Sequence, residues 1–265
     1  MDIILQSVDM AWLSKAVFEA NLLSLFVICV WHSCSVHGWR RTAREFTAGF
    51  VLTAMAESTG VLSGAYVYPG FQWYILATPI ANPASWVALI YIIMVVTDRI
   101  VSGPQQDAAG LSQRRVGSPA VVGLIGLAVV DATIALSLDL VLDPLATIYN
   151  WWIWVPDAAG VHTIGPGVVE PYNFQHHVWM TTPDNPVADF FAPFFEGGHR
   201  YPTRVLGIPL INFVAWFVFV FVFTFQTRWV ESRQAWGHLK RSVVLAGLVL
   251  VDGPVLALLL ISPNL

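Results

Sequence analysis

Charge is what this chain has least of. Of its 265 residues only 11% are Asp, Glu, Lys or Arg, against roughly a quarter in a soluble globular chain. That is too little to cover a water-facing surface, which excludes an ordinary cytosolic enzyme and a disordered chain. The net charge of −4, with no basic tail, excludes a protein that tracks nucleic-acid phosphates. Cysteine is nearly missing: Cys29 and Cys34 lie five apart in one apolar run and build no disulfide framework. Metal-ligand spacings are missing as well. His176 and His177 are adjacent, His32 and His37 are five apart, and no Glu-x-x-His or His-x-x-x-His occurs, so no metal is expected. With no glycine-rich phosphate loop and no Ser or Cys elbow, no cofactor is expected either. Met1-Asp2 opens without a basic n-region, which predicts no cleavable signal.

What the chain has in excess is apolar surface: 56% of residues are hydrophobic and the mean hydropathy is +0.65. A bilayer-spanning helix takes about 20 mostly apolar residues. Six stretches approach that length, at 15–36, 46–66, 79–98, 119–143, 205–227 and 240–262. In hydrocarbon the backbone must satisfy itself, so these are helices. The expectation is an all-α integral membrane protein, one domain over 1–265 with about six transmembrane helices. Ten of the thirteen Lys and Arg residues fall in alternate loops: Arg40, Arg41 and Arg44; Arg99, Arg114 and Arg115; Arg228, Arg233, Lys240 and Arg241. Only Lys15, Arg200 and Arg204 lie opposite. This alternation predicts a cell-membrane protein with cytoplasmic basic loops and both termini outside. Residues 144–204, with Trp151, Trp152, Trp154, Trp179 and the run Asp189-Phe-Phe-Ala-Pro-Phe-Phe, read as an outer lid or interfacial segment.

A repeat runs through the spans. Ala77-Thr-Pro-Ile-Ala-Asn-Pro-Ala-Ser-Trp86 lines up with Gly207-Ile-Pro-Leu-Ile-Asn-Phe-Val-Ala-Trp216 at an offset of 130 residues. Both copies open a helix entering from the outer face, so the repeat is parallel, and Pro79 and Pro209 suit a first helical turn. Each copy follows an outward-running helix that carries acids.

Carboxyl groups at membrane depth cost about 2.5–3.5 kcal/mol to insert and default to function. Glu19, Glu57, Asp131, Asp139, Asp143 and Asp252 qualify. Most Lys and Arg lie outside the spans or near their ends, so few intramembrane ion pairs are expected, and an acid without a partner cation keeps its proton. Glu57 lies near Gly60 and Gly64, four apart on a face suited to close helix approach. It serves either packing or chemistry. Asp139 and Asp143 are four apart on one helix, with Asp131 two turns earlier roughly 80° round. Asp143-Pro144 reads as a helix end and Glu19 as solvated. Asp252 precedes Gly253-Pro254, a helix kink. Asn82 and Asn212, at equivalent repeat positions, either hold a water and orient a carboxyl or bond a neighbouring helix. Trp86, Trp216 and the Trp151–Trp154 cluster serve as belt anchors or line a cavity where a ring face steadies a cation.

Glu57-Ser-Thr-Gly60, Gly64-Ala-Tyr66-Val-Tyr68, Pro79 and Trp86 resemble the first half of the membrane carotenoid-biosynthesis proteins typified by bisanhydrobacterioruberin hydratase. Asp139-x3-Asp143-Pro144, Trp152, Trp154 and Gly207 to Trp216 resemble the second half. The chain departs from that family in having Leu62-Ser-Gly64 where a Pro-Phe-Gly is usual, and in a longer stretch at 157–204. The resemblance implies an acyclic carotenoid end group hydrated to a tertiary alcohol. On the residues themselves, a buried carboxyl protonates a carbon–carbon double bond: Glu57 or Asp139 is the acid and the other its partner, converging with Asn82 and Asn212 on one pocket, with Asp143 and Asp131 as further candidates. Asn82, Asn212, Tyr66, Trp86 and Trp216 position water and substrate. Two alternatives stay open. One is a cyclase or isomerase of an isoprenoid or polyketide on the same acid chemistry; the other is a small proton-coupled transporter whose acids carry the proton. The expected partners are the bilayer and a lipophilic small molecule.

Overall fold

The computed structural model describes residues 10–62, 66–68, 70–102, 121–148, 151–154, 204–205 and 208–261. Six helices carry the fold among these residues: α1 (Met10–His37), α2 (Trp39–Leu62), α3 (Ala81–Ser102), α4 (Val121–Ile148), α5 (Leu210–Ser232) and α6 (His238–Ile261). Within α1, α3, α4 and α5, the stretches Lys15–His37, Ala81–Val101, Val121–Ala146 and Leu210–Ser232 are long and apolar enough to cross a membrane. The chain is a multi-pass membrane protein.

Helices α1 and α2 are joined by Gly38 alone. Its φ of +79° is the left-handed turn that ends a helix and favours glycine. The Gly38 N–H donates to the Cys34 carbonyl at 3.0 Å, while the Gly38 carbonyl accepts from Thr42 N–H at 3.2 Å. Helices α2, α3, α4, α5 and α6 close a ring in which each packs on the next and α6 returns to α2; α1 lies outside it against α3 and α2. Leu52, Ile90, Phe219, Val220, Phe223, Leu245 and Val249 form the core. Gly49 lets α2 approach, because a Cβ there would come within 3.0 Å of the Phe223 ring and 3.1 Å of Val87.

The basic segments gather at one end. Arg41 and Arg44 at the start of α2 and Arg241 at the start of α6 all reach Glu231 at the end of α5. Arg228 reaches Asp98 near the end of α3 at 2.6 Å. The Arg114–Arg115 pair lies outside the described residues.

Six two-residue strands stand at the opposite end: β1 (Tyr66–Val67), β2 (Tyr74–Ile75), β3 (Thr78–Pro79), β4 (Ile153–Trp154), β5 (Arg204–Val205) and β6 (Ile208–Pro209). They extend the repeat well beyond ten residues. Hairpin β2–β3 leads into α3 as hairpin β5–β6 leads into α5, with Tyr74 paired to Pro79 and Arg204 to Pro209, again 130 residues apart. The preceding elements match at an offset of 86: Glu57 with Asp143, and Tyr66-Val67-Tyr68 with Trp152-Ile153-Trp154. Strands β1 and β4 pair antiparallel with Val67 opposite its equivalent Ile153 and Tyr66 opposite Trp154, as a two-fold axis through the Val67–Ile153 pair requires. The same happens deeper down. Trp86 stacks on Trp216 and Asp98 meets Arg228, both pairs 130 apart. The halves α2–α3 and α4–α5 are thus related by a pseudo-two-fold axis along the bundle, as a parallel repeat requires.

Three expectations need correction. Pro79 and Pro209 lie in the strands just before the helices rather than in the first turn; with no N–H to give a ladder, proline tolerates such a short edge. Pro144 does not end its helix, for α4 continues to Ile148; the Trp151 N–H caps that end on the Ala146 carbonyl at 2.8 Å. The outer segment therefore does not begin at 144, because its first residues complete α4 and β4. Its remainder, 155–203, with His176, His177, Trp179 and the Asp189 run, lies outside the described residues.

Candidate active site

The acid-bearing helices α2 and α4 each place a carboxyl five residues before their last residue, at the strand end of the bundle. Glu57 is buried, and its Oε2 accepts hydrogen bonds from the hydroxyls of Tyr66 at 2.8 Å and Tyr68 at 2.5 Å. The Tyr68 oxygen in turn accepts from Asn82 Nδ2 at 2.5 Å. Local structure fixes both phenols. Strand β1 is pinned to β4, and the Tyr74 hydroxyl donates to the Tyr68 carbonyl at 2.6 Å. Ser58 holds the next hairpin to α2 by accepting the Ala77 N–H at 3.2 Å. Gly60 gives the Tyr66 ring its place: a Cβ on Gly60 would lie 2.2 Å from the Tyr66 hydroxyl. The close approach read from Gly60 is therefore to a ring of the strand segment, while Gly64 lies outside the described residues. Burial, reinforced by the neighbouring Glu57, pushes the Tyr68 phenol well above its usual value, so it stays a neutral O–H.

The second half repeats this plan with different groups. Asp139 and Asp143 are buried on one face of α4, and Asn212 Nδ2 donates to both: to Asp139 Oδ2 at 3.2 Å and to Asp143 Oδ2 by a short contact. The Trp152 side chain hydrogen-bonds Asp143, where Tyr66 serves Glu57. Below the acids, the rings of Trp86 and Trp216 stack 3.7 Å apart at 13°.

Between the halves lies a cavity of about 20 Å³, room for one water. Glu57, Tyr66, Tyr68, Asn82 and Trp86 line it from the first half; Asp143, Trp152, Asn212 and Trp216 line it from the second. Four pairs of equivalent residues thus face one another across a water-sized space. Asp139, expected to share the pocket with Glu57, is not on the wall but one amide behind it; Asp143, one turn further along α4, takes its place. This geometry can give a proton to a bound molecule from one side and take one from the other, with water in reach of both.

Asp131 is elsewhere, and it finds one of the few cations expected within reach of the spans. It is fully buried and accepts from Arg228 Nε at 3.0 Å and Nη2 at 3.2 Å, with Asp98 on the third nitrogen. The arginine, near the end of a very apolar helix, turns inward because α4 offers it a carboxylate. Glu19 is likewise buried rather than solvated, since the Gln72 and Trp73 N–H groups reach its carboxylate at 3.1 and 3.3 Å. Asp252 lies apart from the cavity on α6, which continues past Pro254. Among the tryptophans, Trp151 stacks on Phe18 at 3.7 Å. His32 Nδ1 lies 2.6 Å from the Tyr91 hydroxyl.

Tyr68 is the wall residue to which the sequence assigned no role, and Trp152 stood only among the tryptophans that anchor a belt or line a cavity. A signal for them exists: an aromatic-x-aromatic triplet begins nine residues after each acid, Glu57 and Asp143.

The profile of a family described as carotenoid biosynthesis protein matches residues 17–168, more than half of the chain. The match takes in the whole first half-site and the second as far as β4. No curated protein and no solved structure matches.

Proposed function

The chain belongs to the carotenoid biosynthesis protein family, and on that premise we propose that it is a membrane enzyme that hydrates a carbon–carbon double bond at the end of an acyclic carotenoid. The observation that carries this reading is the pairing of Glu57 and Asp143 across one water-sized cavity. Hydration of a trisubstituted alkene needs a strong acid, a stabilised tertiary cation and a delivered water. A carboxyl desolvated in the bundle supplies the acid. The stacked Trp86–Trp216 pair and the second carboxyl steady the cation. Asn82 and Asn212 hold the water. The reaction asks for nothing beyond side chains and water. A carotenoid end is larger than the cavity, so its approach moves wall side chains and leaves the water between the acids.

Cyclisation on the same acid would need that water excluded, and a cavity walled by two carboxyls and two amides favours keeping it. The test is to supply an acyclic carotenoid to membranes containing the protein and to analyse the pigments by mass. Hydration gives a product heavier by one water, with its oxygen labelled when the membranes are suspended in heavy-oxygen water. A product of unchanged mass would replace the reading with isomerisation or cyclisation. Unchanged substrate would refute an enzyme of this type.

A further inference from the structure

The two half-sites share a backbone plan but surround their acids with groups of different hydrogen-bonding capacity. At equivalent positions, nine residues beyond the acid, the first half has Tyr66 and the second has Trp152. A phenol both donates and accepts, and its O–H rotates to suit; an indole N–H only donates. The amides do not tell the halves apart, since Asn82 reaches Glu57 as Asn212 reaches Asp143; the difference lies in phenols on one side and an indole on the other. A carboxyl faced by fixed donors is matched as a carboxylate. A carboxyl faced by hydroxyls is matched in both states, because the hydroxyl can give a hydrogen bond to the anion or take one from the acid. At Glu57 both phenols converge on a single oxygen, Oε2, which leaves Oε1 to carry a proton.

Resting on the hydration reading above, we infer that the halves divide the reaction: Glu57 is the acid, Asp143 the base, and Tyr68 the group that returns the proton to Glu57. The steps balance. The alkene π pair takes the proton from Glu57 Oε1, forming a C–H bond and leaving a cation on the adjacent carbon and a carboxylate held by two phenols. A water lone pair then forms the C–O bond, and the water's second proton passes to Asp143. The alcohol leaves with Asp143 protonated and Glu57 ionised. The surplus proton crosses through the incoming water to Tyr68, which delivers its own hydroxyl proton to Glu57 Oε2; a half-turn of the carboxyl then exchanges its two oxygens and restores the starting state. Asn82, donating to the Tyr68 oxygen, holds that phenol in line and is a positioning residue. Asp139 is another, fixing Asn212 from behind.

The experiment places membranes with the wild type, Glu57→Gln, Asp143→Asn and Tyr68→Phe in deuterium oxide, at equal folded protein checked by size exclusion in detergent. Both alcohol and recovered alkene are analysed. The wild type should give deuterated alcohol; if it gives none, the hydration reading itself has failed, separately from the split. Glu57→Gln should give no alcohol and no deuterium in the alkene. Asp143→Asn should lose alcohol by about a hundred- to ten-thousand-fold. Its recovered alkene should nevertheless carry deuterium or a shifted double bond, because protonation by Glu57 and its reversal persist. Tyr68→Phe should lower kcat with KM unchanged and enlarge the solvent isotope effect, which a packing role would not do. Deuterated alkene from Glu57→Gln but not from Asp143→Asn would reverse the roles. Its absence from both would overturn the division, as would an unaltered isotope effect in Tyr68→Phe.

Discussion

Replacing Gly60 by alanine adds one methyl group and tests the site more sharply than removing an acid. The new Cβ would sit 2.2 Å from the Tyr66 hydroxyl oxygen, 2.4 Å from Cζ and 2.5 Å from Cε1. Non-bonded carbon contacts settle near 3.5–4.0 Å, so the ring must withdraw by roughly 1 Å. Its 2.8 Å hydrogen bond to Glu57 then stretches past the limit of about 3.5 Å and is lost. Losing one of the two phenol hydrogen bonds to the buried Glu57 oxygen costs about 1–3 kcal/mol, while alanine regains about 1 kcal/mol over glycine within a helix. Stability should therefore fall by no more than about 2 kcal/mol, the difference of those two effects. Activity should fall much further, since a displacement of this size at a reacting group costs about a hundredfold. The assay is the hydration rate at equal folded protein beside a thermal midpoint in detergent. Gly247→Ala, where a Cβ meets nothing within 4 Å, is the control and should leave the rate unchanged. Adding Gly60→Ala to Tyr66→Ala should cost little more than Tyr66→Ala alone, because the two act through one ring. Gly60→Ala with the wild-type rate would refute the placement of Tyr66 against Glu57.

Three further outcomes are expected. Asp131→Asn leaves Arg228 buried with only Asp98, and breaking such a pair costs about 3–5 kcal/mol; the thermal midpoint should drop while the rate per folded molecule holds, and a selective loss of rate would return Asp131 to the chemistry. In a background without Cys29 and Cys34, a cysteine at Gly237 should react with a membrane-impermeant thiol reagent only from the cytoplasmic side, and one at Trp73 only from outside; labelling of both from one side would refute the topology. Burial raises the Tyr68 and Tyr74 phenols, so above about pH 10 the unfolded chain sheds protons that the folded one keeps. Stability should fall as pH rises there, and Tyr74→Phe should flatten the fall, as read from thermal midpoints across alkaline pH.

The helices were legible because hydrocarbon leaves an apolar run no other conformation, and the six predicted stretches overlap the six observed helices. The later part of the repeat was legible because Pro, Asn and Trp keep one spacing. Its earlier part was hidden. The offset is 86 residues from Glu57 to Tyr68 but 130 from Tyr74 onward, the extra length lying between Trp154 and Arg204. Tyr-x-Tyr also became Trp-x-Trp. Asp143 was masked by the proline after it, which reads as a helix end, and Asp139 stood in its place, whereas Glu57, Asn82 and Asn212 were readable from the cost of burying polar groups. Asp131 was not, because that argument treats each acid alone while its partner stands 97 residues away on another helix. Glu19 escaped for a related reason: its partners are backbone N–H groups, which every sequence has and none advertises.

The contact between Asp98 and Arg228 carries a historical consequence. Where two identical chains meet across a two-fold axis, a residue near the axis faces its own copy. Trp86 on Trp216 is what such a dimer would show, and Val67 opposite Ile153 differs from it by a single methylene. Asp98 against Arg228 is a pair no homodimer could make, since aspartate would meet aspartate or arginine arginine, with like charges repelling. Opposite charges at equivalent positions require the two copies to mutate independently, and that becomes possible once one gene encodes both. The same freedom lets Tyr66 and Trp152 differ. Fusion of two half-size chains, each bringing one acid, would thus have been the step that turned a symmetric pocket into one with two distinguishable sides.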